Sequence, residues 1–152
     1  MKVVLASDHR GYRLKESLKT FLEEKGVEFF DVGTFSDDSV DYPDFAMLAA
    51  EKVSHGDYAR GIFICGSGIG MGVVANKFPG VRAAVCHDVS SAEMSRKHND
   101  SNILGLGADV INEELARKIL QVWLETKFEG GRHLRRVQKI SEIESRLMKN
   151  CH

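Results

Sequence analysis

Cys65 is the residue best placed to do chemistry in this chain. It closes the apolar run Ile62-Phe63-Ile64 and is followed at once by Gly66-Ser67-Gly68-Ile69-Gly70-Met71-Gly72. A glycine-rich turn between a strand and a helix can aim several main-chain N–H groups at one point, beside the positive end of the helix. Negative oxygen is stabilised in such a cradle, and a thiol beside it ionises more readily. That pairing suits proton abstraction from carbon, or acyl transfer. The glycines would also permit close helix–sheet packing, but four at alternate positions exceed what packing needs. The turn is not a dinucleotide fingerprint, because Met71 and Val73 stand where G-x-G-x-x-G needs glycine, and without a Gly-Lys pair it is not a P-loop.

Three other groups of residues carry potential chemistry. Asp8-His9-Arg10-Gly11 follows the first apolar run. Its carboxylate and imidazole suit sugar hydroxyls or a phosphate, although Asp8 would equally serve as a helix cap. His98-Asn99-Asp100 offers a proton donor and an amide for an oxyanion, against an alternative of helix capping by Asn99. Arg132 and Arg136 are four residues apart, so one helix face presents both to a phosphate, or simply to solvent. His55, His87, His133 and His152 suggest nothing specific, and Cys86 and Cys151 lack an adjoining turn. The three cysteines have no CxxC spacing and the histidines no HxxxH, so neither a disulfide framework nor a metal site is expected.

The elements that must position these residues alternate. Short strands are expected over residues 3–6, 27–32, 61–65, 81–86 and 102–106. Between them lie helices carrying Leu14, Leu18, Phe21 and Leu22, stopped by Gly26, then one opened by Pro43, one over 68–77 and one over 90–97. Asn112 caps a fifth helix with Ala116, Ile119, Leu120, Trp123 and Leu124 on its buried face. A last helix carries Val137, Ile140, Ile143 and Leu147. Strand–helix alternation of this kind makes a parallel sheet covered on both faces, with ligands at the carboxyl ends of its strands. Residues 1–152 read as one domain, with 43% hydrophobic and 28% charged residues. A net charge of −1 excludes an electrostatic case for nucleic-acid or membrane binding. The first residues do not resemble a signal peptide, no run is long enough to span a membrane, and free cysteines suit a reducing cytoplasm.

Five stretches in order resemble the type B ribose-5-phosphate isomerases, the ribose/galactose sugar-phosphate isomerase family. They are Ala6-Ser7-Asp8-His9-Arg10-Gly11, Asp41-Tyr42-Pro43, Cys65-Gly66-Ser67-Gly68-Ile69-Gly70, Arg96-Lys97-His98-Asn99-Asp100 and Phe128-Glu129-Gly130-Gly131-Arg132-His133. The resemblance implies a Rossmann-like three-layer α/β/α sandwich around a five-stranded parallel sheet. It implies an aldose–ketose isomerase of a sugar phosphate that needs neither metal nor cofactor. It also implies a homodimer, or a dimer of dimers, with sites shared between chains. On this resemblance Cys65 is the base that takes the proton beside the carbonyl. Asp8, His9 and His98 bind the sugar and assist ring opening, with His98 as the acid. The turn from Gly66 through Ser67, Gly68 and Ile69 to Gly70, with Asn99, holds the enediolate. Tyr42 borders the substrate, and Arg132 and Arg136 with His9 hold the phosphate. Two positions depart from the family pattern: Ser67, where many members have Thr, and Asp109, where many have Arg.

These residues imply an enediolate mechanism in which Ser67 moves a proton between the two oxygens and the substrate carbonyl is the electron sink. Ribose 5-phosphate is the expected substrate. A six-carbon sugar phosphate, a non-catalytic sugar-phosphate-binding module and a cysteine hydrolase are the alternatives.

Overall fold

The computed structural model describes residues 1–151, and His152 lies outside them. Five strands form one parallel sheet: β1 (Lys2–Ser7), β2 (Glu28–Asp31), β3 (Arg60–Cys65), β4 (Ala83–Val85) and β5 (Ile103–Gly107). Their spatial order is β2-β1-β3-β5-β4. Six helices complete the chain: α1 (Tyr12–Glu24), α2 (Tyr42–Ser54), α3 (Ile69–Ala75), α4 (Val89–Asn99), α5 (Glu113–Glu125) and α6 (Arg132–Lys149). The expected alternation and sheet hold, while β4 contracts from residues 81–86 to three residues at the sheet edge.

Side chains alternate across the strands, so each face of the sheet gathers its own core. Val3, Leu5, Ile62, Ile64, Leu104 and Leu106 pack against α1, α4 and α5, around the fully buried Trp123. Val4, Ala6, Phe63 and Cys65 pack on the other face against α2 and α3. At roughly 1.5–3 kcal/mol per large apolar side chain removed from water, these two layers dominate stability.

Local signals end and start the helices as their chemistry requires. Gly26 takes φ +69° just beyond α1, and Asn112 Oδ1 accepts the Leu115 N–H at 2.9 Å to cap α5. Asp100, rather than Asn99, is the left-handed C-cap of α4, at φ 47°. The last helix departs most from expectation. Only His133 and Val137 are buried along α6, while Ile140, Ile143 and Leu147 stay exposed along a groove they share with Asn76, Lys77 and Pro79.

Candidate active site

The carboxyl end of β3 places Cys65 at the floor of a cavity of about 310 Å³. Cys65 is 4% exposed, and Asp8, Tyr42, Gly66 and Ser67 border the same space. The turn after the strand is built to approach the sulfur. Gly68 takes φ +79°, a conformation a Cβ would strain, and its N–H donates to Cys65 Sγ at 3.2 Å. Tyr42 lies against Gly70, where an added Cβ would come within 2.8 Å of the ring. The Ile69 N–H is taken by Ser67 Oγ at 3.2 Å, so Ile69 contributes no free donor. Among the described residues, the N–H groups of Gly66 and Ser67 find no protein acceptor.

Asp8 reaches the cavity from the end of β1. Its Oδ1 accepts the N–H groups of Arg10 at 2.9 Å and Gly11 at 3.0 Å, so the capping role is real. Oδ2 has no such partner, and one carboxylate can therefore cap the chain and still meet a ligand. Beside it, His9 Nδ1 accepts the Val40 N–H at 3.2 Å. That bond fixes the neutral imidazole with its proton on Nε2, as a donor. The 33–41 loop that supplies Val40 is anchored by the fully buried Lys15, which donates to Asp31 Oδ1 and to the Thr34 carbonyl.

His98, Asn99, Arg132 and Arg136 are not among these neighbours. α4 runs back along the sheet from the end of β4, so its last turn lies at the amino edge. There the Arg82 Nε–H donates to the Asn99 carbonyl at 3.0 Å, and Arg82 and Arg96 clamp Asp100. Arg60 starts β3 at this edge and Cys65 ends it, and five strand steps span about 17 Å. One chain therefore keeps His98 apart from Cys65.

The amino edge has its own organisation. The His98 and His133 rings stack at 4.2 Å between centroids and 12° between planes. His133, which its sequence surroundings left without a role, is thus a buried support for His98. Burial, then the charges of His98, Arg132 and Arg136, hold the His133 imidazole below its ordinary value, with Glu129 opposing. His98, Glu129 and His133 bring ligand atoms within 4.8 Å of one another, but nearly parallel rings do not point their lone pairs at a common ion. Arg132 and Arg136 are exposed at the start of α6, with no ion pair among the described residues. Cations at a helix N-terminus oppose its dipole, whereas an anion there would be attracted by both.

Arg10 and Asp109 also border the cavity; the sequence offered Arg10 only within the Asp8-to-Gly11 stretch and Asp109 only as a departure from the family pattern. Asp109 follows β5, whose carboxyl end lies next to that of β3, so sheet order was the signal that could have found it.

A thiol, a carboxylate and uncommitted main-chain donors, gathered where parallel strands end, make this an enzyme of the doubly wound α/β class that acts on a small ligand. Residues 3–140 match the Ribose/Galactose Isomerase family, and the chain belongs to it. It is thus an isomerase. It is 46% identical to ribose-5-phosphate isomerase B of Escherichia coli, over 95% of this chain and 97% of that one. The solved ribose-5-phosphate isomerase B of Clostridium thermocellum is 51% identical, with a TM-score of 0.94 over 97% of this chain and 99% of that one. D-erythrulose-4-phosphate isomerase of Pectobacterium atrosepticum is 40% identical, over 95% of each chain.

Proposed function

We propose that this enzyme interconverts ribose 5-phosphate and ribulose 5-phosphate through an enediolate, with Cys65 as the base. The observation that carries the reading is Cys65 Sγ at a cavity floor, hydrogen-bonded by Gly68 N–H and flanked by the free N–H groups of Gly66 and Ser67. Two relatives named for ribose 5-phosphate, each covering nearly the whole chain, support the substrate.

The chemistry runs in three steps. His98 protonates the ring oxygen while Asp8 takes the anomeric hydroxyl proton, and the sugar opens to its aldehyde. Thiolate Cys65 then removes the C2 proton, and the electron pair moves through C1 to O1, which the main-chain donors stabilise. Cys65 returns the proton to C1 while Ser67 carries the O2 proton to O1, leaving the ketose. Atoms and charge balance without metal or cofactor, since the carbonyl accepts the electrons. Arg132 and Arg136, with His9, hold the phosphate.

The enzyme works as a homodimer, in which each site takes Cys65, Asp8 and Ser67 from one chain and His98, Asn99, Arg132 and Arg136 from the other. The separation of the two sets across the sheet supports this, as does the exposed apolar stripe of α6. Three free cysteines suit a cytoplasmic protein.

In Cys65→Ala, turnover of ribose 5-phosphate should fall by about 10³-fold or more, with the fold and phosphate affinity kept. Retained turnover would end the assignment of Cys65. A panel of four-, five- and six-carbon aldose phosphates should give the highest kcat/KM for ribose 5-phosphate. A higher value for another would change the substrate and leave the reaction class standing.

A further inference from the structure

The cavity above Cys65 is unusual in its charge. Among the described residues two carboxylates border it, Asp8 and Asp109, and one cation, Arg10. A dianionic sugar phosphate would be repelled by that pair of acids unless a cation intervened. Arg10 Nε lies 3.3 Å from Asp109 Oδ2, so the ion pair offsets the charge of the second acid and draws the guanidinium to the cavity rim. It does so against the turn itself: an added Cβ at Gly66 would meet Asp109 Oδ2 at 2.8 Å and Arg10 Nη1 at 3.4 Å. With Nε facing Asp109, both terminal nitrogens of Arg10 keep donors without a protein partner among the described residues. A guanidinium oriented in this way is the usual receptor for a phosphate.

We propose that Arg10, positioned by Asp109, is a phosphate-binding residue of this isomerase and meets the substrate phosphate from the Cys65 side. The inference rests on the isomerase reading above. It also gives Asp109 a role at the cavity rim. Here the rim cation comes from the neighbouring β1–α1 loop, and position 109 orients it instead of supplying it. Both side chains are more than half exposed, 63% and 54%, so their mutual attraction alone contributes little to stability. That modest worth leaves the pair free to serve a ligand.

Arg10→Ala should raise KM for ribose 5-phosphate about tenfold with kcat nearly unchanged, and should weaken competitive inhibition by inorganic phosphate to a similar degree. The double variant Arg10→Ala/Asp109→Arg returns the cation to the rim from the other loop, and its KM should recover most of the loss. Asp109→Asn should raise KM less than Arg10→Ala does, because the guanidinium remains but is no longer held. An Arg10→Ala variant with KM and phosphate inhibition unmoved would overturn the proposal, as would a double variant that stays at the Arg10→Ala level. Neither result touches Cys65. If the protein turns over some other sugar phosphate, that substrate and inorganic phosphate replace ribose 5-phosphate in the same comparison.

Discussion

The two edges of the sheet contrast in how they hold their functional groups. At the carboxyl edge Cys65 and Asp8 are buried, each tied to main-chain N–H groups of its own loop. At the amino edge Arg132 and Arg136 stand exposed on a helix that packs on α4 through His133 and leaves these arginines in the open. Among the described residues, the first region gathers a thiol, a carboxylate and free main-chain donors, with a single cation, Arg10. The second is rich in cations and has no nucleophile. A reaction that needs both must bring together two edges about 17 Å apart along β3, and the homodimer proposed above would do so without distorting either.

The sharpest break of that comparison is a mixing experiment. Cys65→Ala and His98→Ala should each be nearly inactive alone. Unfolded together and refolded, they should recover about one quarter of wild-type turnover, because half of the dimers are mixed and each of those keeps one intact site. No recovery, with mixed dimers shown to form, would mean that each chain works alone. Next, Ile143→Glu puts a charge on the exposed apolar stripe of α6. It should weaken self-association about 100-fold or more, since a two-fold interface contains the change twice. Turnover per chain, followed by sedimentation and assay at equal concentrations, should fall with the dimer. Arg136→Ala acts only on the amino edge, and should raise KM for the sugar phosphate about tenfold while kcat holds. A kcat loss alone would contradict its part in ground-state binding.

The smallest effect is on pH. His133 is held below its ordinary value of 6.5, so the unfolded chain takes up this proton first as pH falls through that value. Folded stability should therefore decline on acidification below about 6.5, down to the lowered value, and be level above it. Thermal melts of His133→Gln should lose part of that decline. A wild-type slope unchanged by the substitution would place the titration elsewhere.

Much of this protein was readable before its fold. That Cys65, Asp8 and Ser67 share one cavity was legible because each closes or closely follows an apolar strand, and parallel strands gather their carboxyl ends at one edge. Asn112 as a cap and Gly26 as a stop were equally plain, since capping is local chemistry. His133 was not legible, because its partner His98 is 35 positions away and only the packing of α6 on α4 joins them. The pairing of Arg10 with Asp109 was hidden for the same reason: they sit on loops after β1 and β5, which only the strand order makes neighbours of the β3 turn.

Pattern and spacing by themselves determined the layered α/β architecture, the thiol at a strand end and the glycine turn beside it, since all three follow from residues close together along the chain. Tertiary structure alone decided that His98 and the arginines lie at the far edge from Cys65, that α6 leaves an apolar stripe exposed, and that the cavity rim holds an arginine against an aspartate. Those facts depend on which strands lie side by side and which way each helix returns, and long-range packing settles both.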